Sequence, residues 1–242
     1  MPSQRAIHNV RFSSFGARQD TLSMDALSAV VHLAHKYQID QLLTQALTHL
    51  MEYYTDDFDE WIRADRQVCL DPTDTDAISA INIARLTNAP SVLPLAFLHV
   101  SRVGAAVLNG CKRGCGCHVE ALALQDIQRA IDGRARVHKL IGVAVARIFC
   151  PEASTTCMNS RACAAAFTRK ARKLSELLEE ALDDGTLTTC WSEEFEGASF
   201  PTGWEVCDRC RVMVQARERA ERKAFWNALP KAFDLDIKDW ET

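Results

Sequence analysis

Two cysteine pairs, Cys157 with Cys163 and Cys207 with Cys210, have the residue type and spacing to hold a metal ion. Five residues separate the members of the first pair and two those of the second. Zinc takes thiolate and imidazole ligands in a tetrahedron, and two pairs drawn from distant segments tie those segments together. Each pair stands just ahead of, or inside the first turn of, a segment with helical periodicity. The partly positive start of a helix favours thiolate over thiol, which lowers the cost of deprotonating the ligands. The expectation is a structural zinc on Cys157, Cys163, Cys207 and Cys210, with Cys150 or Cys190 able to replace one ligand. The competing reading is a set of reduced cysteines filling small spaces in an apolar core.

Other residues offer less. Cys111, Cys115, Cys117 and His118 have suitable ligand types, but four ligands within eight residues strain a single tetrahedral site, and a flexible surface loop is the expected state of this segment. Cys207 and Cys210 also have the spacing of a thiol oxidoreductase. That motif normally follows a strand in a β-α-β unit, however, and here the flanks read as helical. His32, His35, His49 and His99 sit within helical patterns and beside no evident nucleophile. The sequence contains no glycine-rich phosphate loop, zinc-protease motif or hydrolase elbow. No catalytic residue is expected.

The elements that must position the cysteines follow from composition and periodicity. With 242 residues the chain can bury a substantial core, and 28 basic against 32 acidic side chains leave a net charge of -4, which gives no general attraction to nucleic acid or anionic membranes. The first ten residues lack an apolar stretch of signal-peptide length, and the run Leu140 to Cys150 falls short of the roughly 20 residues that cross a bilayer. An intracellular, reducing location without a membrane span is expected, where ten cysteines serve as ligands or small apolar side chains rather than as disulfides.

Few prolines and glycines interrupt the chain, and apolar residues recur three and four apart, so the expected class is all-α. Residues 1–22 lack periodicity and read as a loose arm. Ser23 can cap a helix carrying Leu27, Val30, Val31 and Ala34, and Asp40 one carrying Leu43, Ala46, Leu47 and Leu50. Thr73 can cap a third through Ile78, Ile81 and Ala84, which ends before Pro90, and Ser91 can open a fourth through Leu95, Leu98, Val103 and Val107 to Gly110. A helix from Leu124 is expected to stop at Asp132-Gly133, and another to run from Arg134 to Phe149. The last two extend from Ser160 to Asp184, where Gly185 ends the helix, and from Val206 to Leu229, where Pro230 ends it. Between them, Trp191, Phe195, Phe200 and Trp204 are expected to fold a loop back onto the helices. Arg161, Arg169, Lys170, Arg172 and Lys173 precede Glu176, Glu179, Glu180, Asp183 and Asp184 on one helix, the pattern of a solvated face. Nucleic-acid binding would need them joined to Arg209, Arg211, Arg217, Arg219 and Arg222 in space.

The stretch Leu33-Ala-His-Lys-Tyr-Gln-Ile-Asp-Gln-Leu-Leu43 resembles the last two helices of a BTB (POZ) domain. The likeness to fungal BTB-domain proteins continues through Asp57-Phe-Asp-Glu-Trp61, Ala80-Ile-Asn-Ile-Ala-Arg-Leu-Thr-Asn-Ala-Pro-Ser91, the Cys207–Cys210 pair and Trp226-Asn-Ala-Leu-Pro-Lys-Ala-Phe-Asp234. It covers roughly residues 22 to 240, through motifs that are individually modest. The resemblance implies C-terminal helices of a BTB-like domain at 23–54 and a helical extension at 55–150, between the arm at 1–22 and a cysteine-containing helical module at 151–242. The strands and first helices through which such domains dimerise or contact cullin-type ligase scaffolds have no counterpart here, so neither property is carried over. Leu27, Val31 and Leu43 are then expected to be exposed where those strands would pack. The function expected is a non-enzymatic scaffold or adaptor that binds a protein partner. A thiol oxidoreductase using Cys207 and Cys210 and a zinc-dependent nucleic-acid-binding protein are the alternatives.

Overall fold

Apolar spacing of three and four residues does produce helices, and their ends report where tertiary contacts agree with local signals. The computed structural model describes residues 22–63, 68–114, 118–173, 195, 205–238 and 240. The arm up to residue 21 lies outside them, whereas Leu22 already pairs with Leu70. Ser23 accepts the Ala26 N–H at 3.2 Å and opens α1 (Met24–Tyr37), which Gln38 closes in a left-handed conformation. α2 (Asp40–Tyr53) packs back on α1. Asp40 is its first helical residue rather than its cap, and Ile39 holds the cap position without a side-chain bond. The Asp40 carboxylate still faces the favourable end of the helix dipole.

A single turn, α3 (Phe58–Trp61), is capped by Asp57. Thr73 and Asp76 cap each other's backbone across a 3-10 turn that leads into α4 (Ala77–Thr87). The next helix opens later than Ser91: Pro90–Val92 forms one 3-10 turn, and α5 is Leu93–Val103. It also stops before Gly110, because Gly104 adopts a φ of 63° and Gly104–Asn109 winds as a 3-10 helix. By length and composition Pro90–Asn109 is apolar enough to cross a membrane, a stretch missed when Leu140 to Cys150 is taken as the longest apolar run. In this fold it is α5 with its two flanking 3-10 turns, and Val92, Leu95, Ala96 and Phe97 are fully covered.

The chain is mostly helical, in keeping with the all-α expectation, and carries one short hairpin besides. Cys111–Arg113 (β1) and His118–Glu120 (β2) pair antiparallel in a short hairpin, where a flexible loop was expected. Its anchor is Arg113, which reaches Asp25 at 2.9 Å, Asp76 at 2.5 Å and Glu120 at 3.1 Å and also donates to Ser79. A largely buried guanidinium needs such partners, and these come from α1, the turn before α4 and β2. Cys115 and Cys117 lie outside the described residues.

α6 (Leu124–Ile148) is one unbroken helix through Asp132-Gly133. Gly133 gives clearance rather than a stop, since a Cβ there would run into the ring of Phe233. α7 (Ser160–Arg172) starts where expected; its continuation to Asp184 and the stop at Gly185 lie outside the described residues. α8 (Asp208–Ala232) packs along α6 and touches α5. Pro230 does not end it. A proline there cannot bond the carbonyl of Trp226, and the Trp240 indole N–H donates to that carbonyl at 3.0 Å instead.

One apolar core runs from Met24 to Trp240. Leu27 and Val31, expected on an open face, are inside it and at most 1% exposed, while Leu43 is half-buried against it. The open apolar side chains of this region are Leu33, Tyr37, Ile39 and Met51.

Candidate metal centre

Asn159 accepts the Ala162 N–H at 3.2 Å and fixes the start of α7. That places Cys163 in its first turn and Cys157 in the loop just before it. Cys207 is itself the cap residue of α8, with Cys210 in the first turn. Arginines of α8 hold the loop between α6 and α7 in place. Arg217 donates to the carbonyls of Cys150 at 3.1 Å and Glu152 at 3.4 Å, and Arg209 donates to Thr156 at 3.2 Å. Phe195 packs against both Phe149 at the end of α6 and Phe167 on α7, with ring centroids 5.7 and 5.1 Å apart. Trp191, Phe200 and Trp204, expected to do the same, lie outside the described residues.

The four sulfurs lie within 4.8 Å of one another, and Cys157 Sγ is 3.8 Å from Cys207 Sγ. A tetrahedral centre with metal–sulfur bonds of about 2.3 Å has sulfur–sulfur edges of about 3.8 Å. The cluster therefore has the size of a four-thiolate ligand shell and can hold a metal ion. All four are free cysteines; Cys163, Cys207 and Cys210 are buried, and Cys157 is half-buried. Among the described residues no other group of ligands gathers in this way. Cys150 stands outside the cluster, and Cys190 is outside the described residues.

The electrostatics distinguish the sulfurs. Burial works against ionising Cys207, but backbone N–H groups of Met158 and Cys210 and the neighbouring Cys157 and Cys163 overcome it and bring the thiol down to about 6. Burial pushes Cys163 up to about 11, with Cys157 and Cys207 adding to the rise against one bond from the Cys207 N–H, 3.3 Å away. Cys210 is raised well above the ordinary thiol range by burial, although Ser154 N–H donates to it at 3.4 Å. Confined sulfurs without a counter-charge cannot all carry charge, whereas a divalent ion stabilises four thiolates together.

The other chemistry-bearing candidates are absorbed by the fold. His99 pairs with Asp74 at 3.1 Å, His32 bonds the Ser28 carbonyl at 2.8 Å and His49 pairs with Glu52 at 3.3 Å. Cys111 is buried in β1, and burial raises its thiol. Several of the basic residues are paired within the fold. Arg169 pairs with Glu205, Arg211 with Asp208, Arg219 with Asp59 and Arg222 with Glu218, while Arg209 and Arg217 bind loop carbonyls. Sequence reasoning missed the ionic cluster around Arg113, which nothing in the local pattern signals. It also missed the sulfur-directed N–H groups of Ser154 and Met158, whose role depends on how the loop folds.

Compared with protein-family models, with curated proteins and with solved structures, the chain matches none.

Proposed function

We propose that this chain is a non-enzymatic protein-binding scaffold, related to the BTB adaptors it resembles, whose C-terminal helices are pinned by one structural zinc on Cys157, Cys163, Cys207 and Cys210. The observation that carries the zinc is the closure of four sulfurs, from segments some 50 residues apart, to within 4.8 Å. An all-thiolate shell with every position filled by protein is the pattern of a structural rather than a catalytic site. Support for a binding role comes from the open apolar side chains Leu33, Tyr37 and Ile39 around the end of α1. The paired arginines of α8 favour a protein partner over nucleic acid, since few are free to neutralise phosphates.

Elemental analysis of the purified reduced chain tests the metal. One zinc per chain, lost in both Cys157→Ala and Cys207→Ala, is the expected result, and a metal-free chain that folds equally well refutes it. The lowered Cys207 thiol beside Cys210 favours one alternative, a thiol oxidoreductase. Its sulfurs are buried, however, and the scaffold reading expects no reduction of insulin disulfides by the full chain.

A further inference from the structure

We propose that Cys157 is a modification site: with zinc bound, its sulfur is the one that a hydroperoxide oxidises, and Cys207 then forms a disulfide with it and expels the ion. This inference rests on the zinc reading above and adds a regulation of the same site.

The four ligands are not equivalent. Cys163 accepts the Cys207 N–H at 3.3 Å, Cys210 accepts the Ser154 N–H at 3.4 Å, and Cys207 accepts from Met158 and Cys210. Each such bond withdraws charge from the sulfur it reaches and lowers its reactivity. Among the described residues no backbone N–H reaches Cys157, whose sulfur meets Cys207 Sγ. Cys157 is also the one ligand of the four that is not buried. A metal-bound cysteine stays a thiolate at neutral pH, and oxidation follows thiolate character and exposure together. Both select Cys157.

The chemistry balances with a hydroperoxide as the two-electron oxidant. The Cys157 sulfur attacks one peroxide oxygen, the O–O bond breaks, and the departing oxygen takes up a proton and leaves as water when hydrogen peroxide is used. Cys157 is then a sulfenic acid. The Cys207 thiolate, 3.8 Å away in the assembled cluster, attacks that sulfur; the S–O bond breaks, the hydroxide takes up a second proton, and a disulfide forms. Two thiolates have been oxidised, one peroxide reduced to two waters, and zinc is left with Cys163 and Cys210 alone, which do not hold it in a closed tetrahedron.

The test uses the zinc-loaded full chain, whose metal content is measured first. Hydrogen peroxide is added, released zinc is followed with a chromogenic chelator, and disulfides are mapped by mass spectrometry at partial release. The expected result is one zinc released per chain, in step with a Cys157–Cys207 disulfide, and several-fold slower release from Cys157→His, which keeps a zinc-binding ligand at that position. A first disulfide that omits Cys157 in the unaltered chain, or equal release rates in the two proteins, overturns the inference while leaving the zinc reading intact. A chain without zinc at the outset overturns both.

Discussion

Phe233 occupies the space that a side chain would need at Gly133. A β-carbon on that glycine would sit far inside van der Waals contact with the ring, which also stacks on Phe97 with centroids 5.4 Å apart. Replacing Gly133 by alanine improves helix propensity by about 1 kcal/mol, but forcing the ring away from its stack costs about 1–3 kcal/mol. The overlap is severe, so the net effect expected is destabilising. Urea unfolding of Gly133→Ala should show a lower midpoint, and adding Phe233→Leu should recover part of it.

Arg113 is the counter-charge for Asp76 and Glu120, both also largely covered, and for the more exposed Asp25. Removing one partner of a buried ionic group costs about 3–5 kcal/mol, because the remaining charges stay unpaired. Arg113→Met should lose stability on that scale in chemical denaturation. Asp25→Asn should lose far less, since its carboxylate remains in contact with water.

The same cluster sets an acid limit. Burial opposes ionisation of Glu120, but bonds from Ser79, Asn82 and Arg113 outweigh it and hold the carboxyl below its ordinary 4.5. At Asp76 burial is likewise outweighed, by Thr73 and Arg113, and the carboxyl lies below 3.8. The unfolded chain thus takes up protons before the folded one as pH falls. This stabilisation is fully present above the ordinary carboxylate values and disappears as pH drops through the lowered folded ones. Thermal unfolding followed from pH 7 to pH 3 should show a fall confined to the acid end, shallower in Glu120→Gln.

Trp240 is expected to matter through one hydrogen bond. Its indole N–H serves the Trp226 carbonyl that Pro230 cannot bond, and its ring stacks on Trp226 with centroids 4.6 Å apart. Trp240→Phe keeps an aromatic ring but leaves a buried carbonyl unpaired, a loss of about 1–3 kcal/mol. Loss of amide exchange protection confined to the last turn of α8 would identify the bond as the cause.

The helix starts were legible wherever a side chain caps its own backbone, as at Ser23 and in the box formed by Thr73 and Asp76. The stops misplaced at Gly133 and Pro230 share one cause, a distant partner that overrides a local signal. Phe233 turns Gly133 from a stop into a contact, and Trp240 lets α8 pass Pro230. The four clustered cysteines were legible because ligand chemistry restricts type and spacing, and helical register then gathers them. Their unequal environments were not, since two of the N–H groups that separate them, those of Ser154 and Met158, belong to a loop held by Arg209 and Arg217. The cover over Leu27 and Val31 was equally hidden, because it is supplied by the same core that takes in residues as far away as Trp240.

The sulfurs at 157 and 163 meet those at 207 and 210, so an ion between them would make a ring of everything strung from one pair to the other. Closing a larger ring costs only logarithmically more entropy, so the length of chain between the pairs adds little to the cost of closure. A protease cut within the ring would yield two bands on a denaturing gel but a single particle in solution, held by the ion and by the packing of α8 on α6.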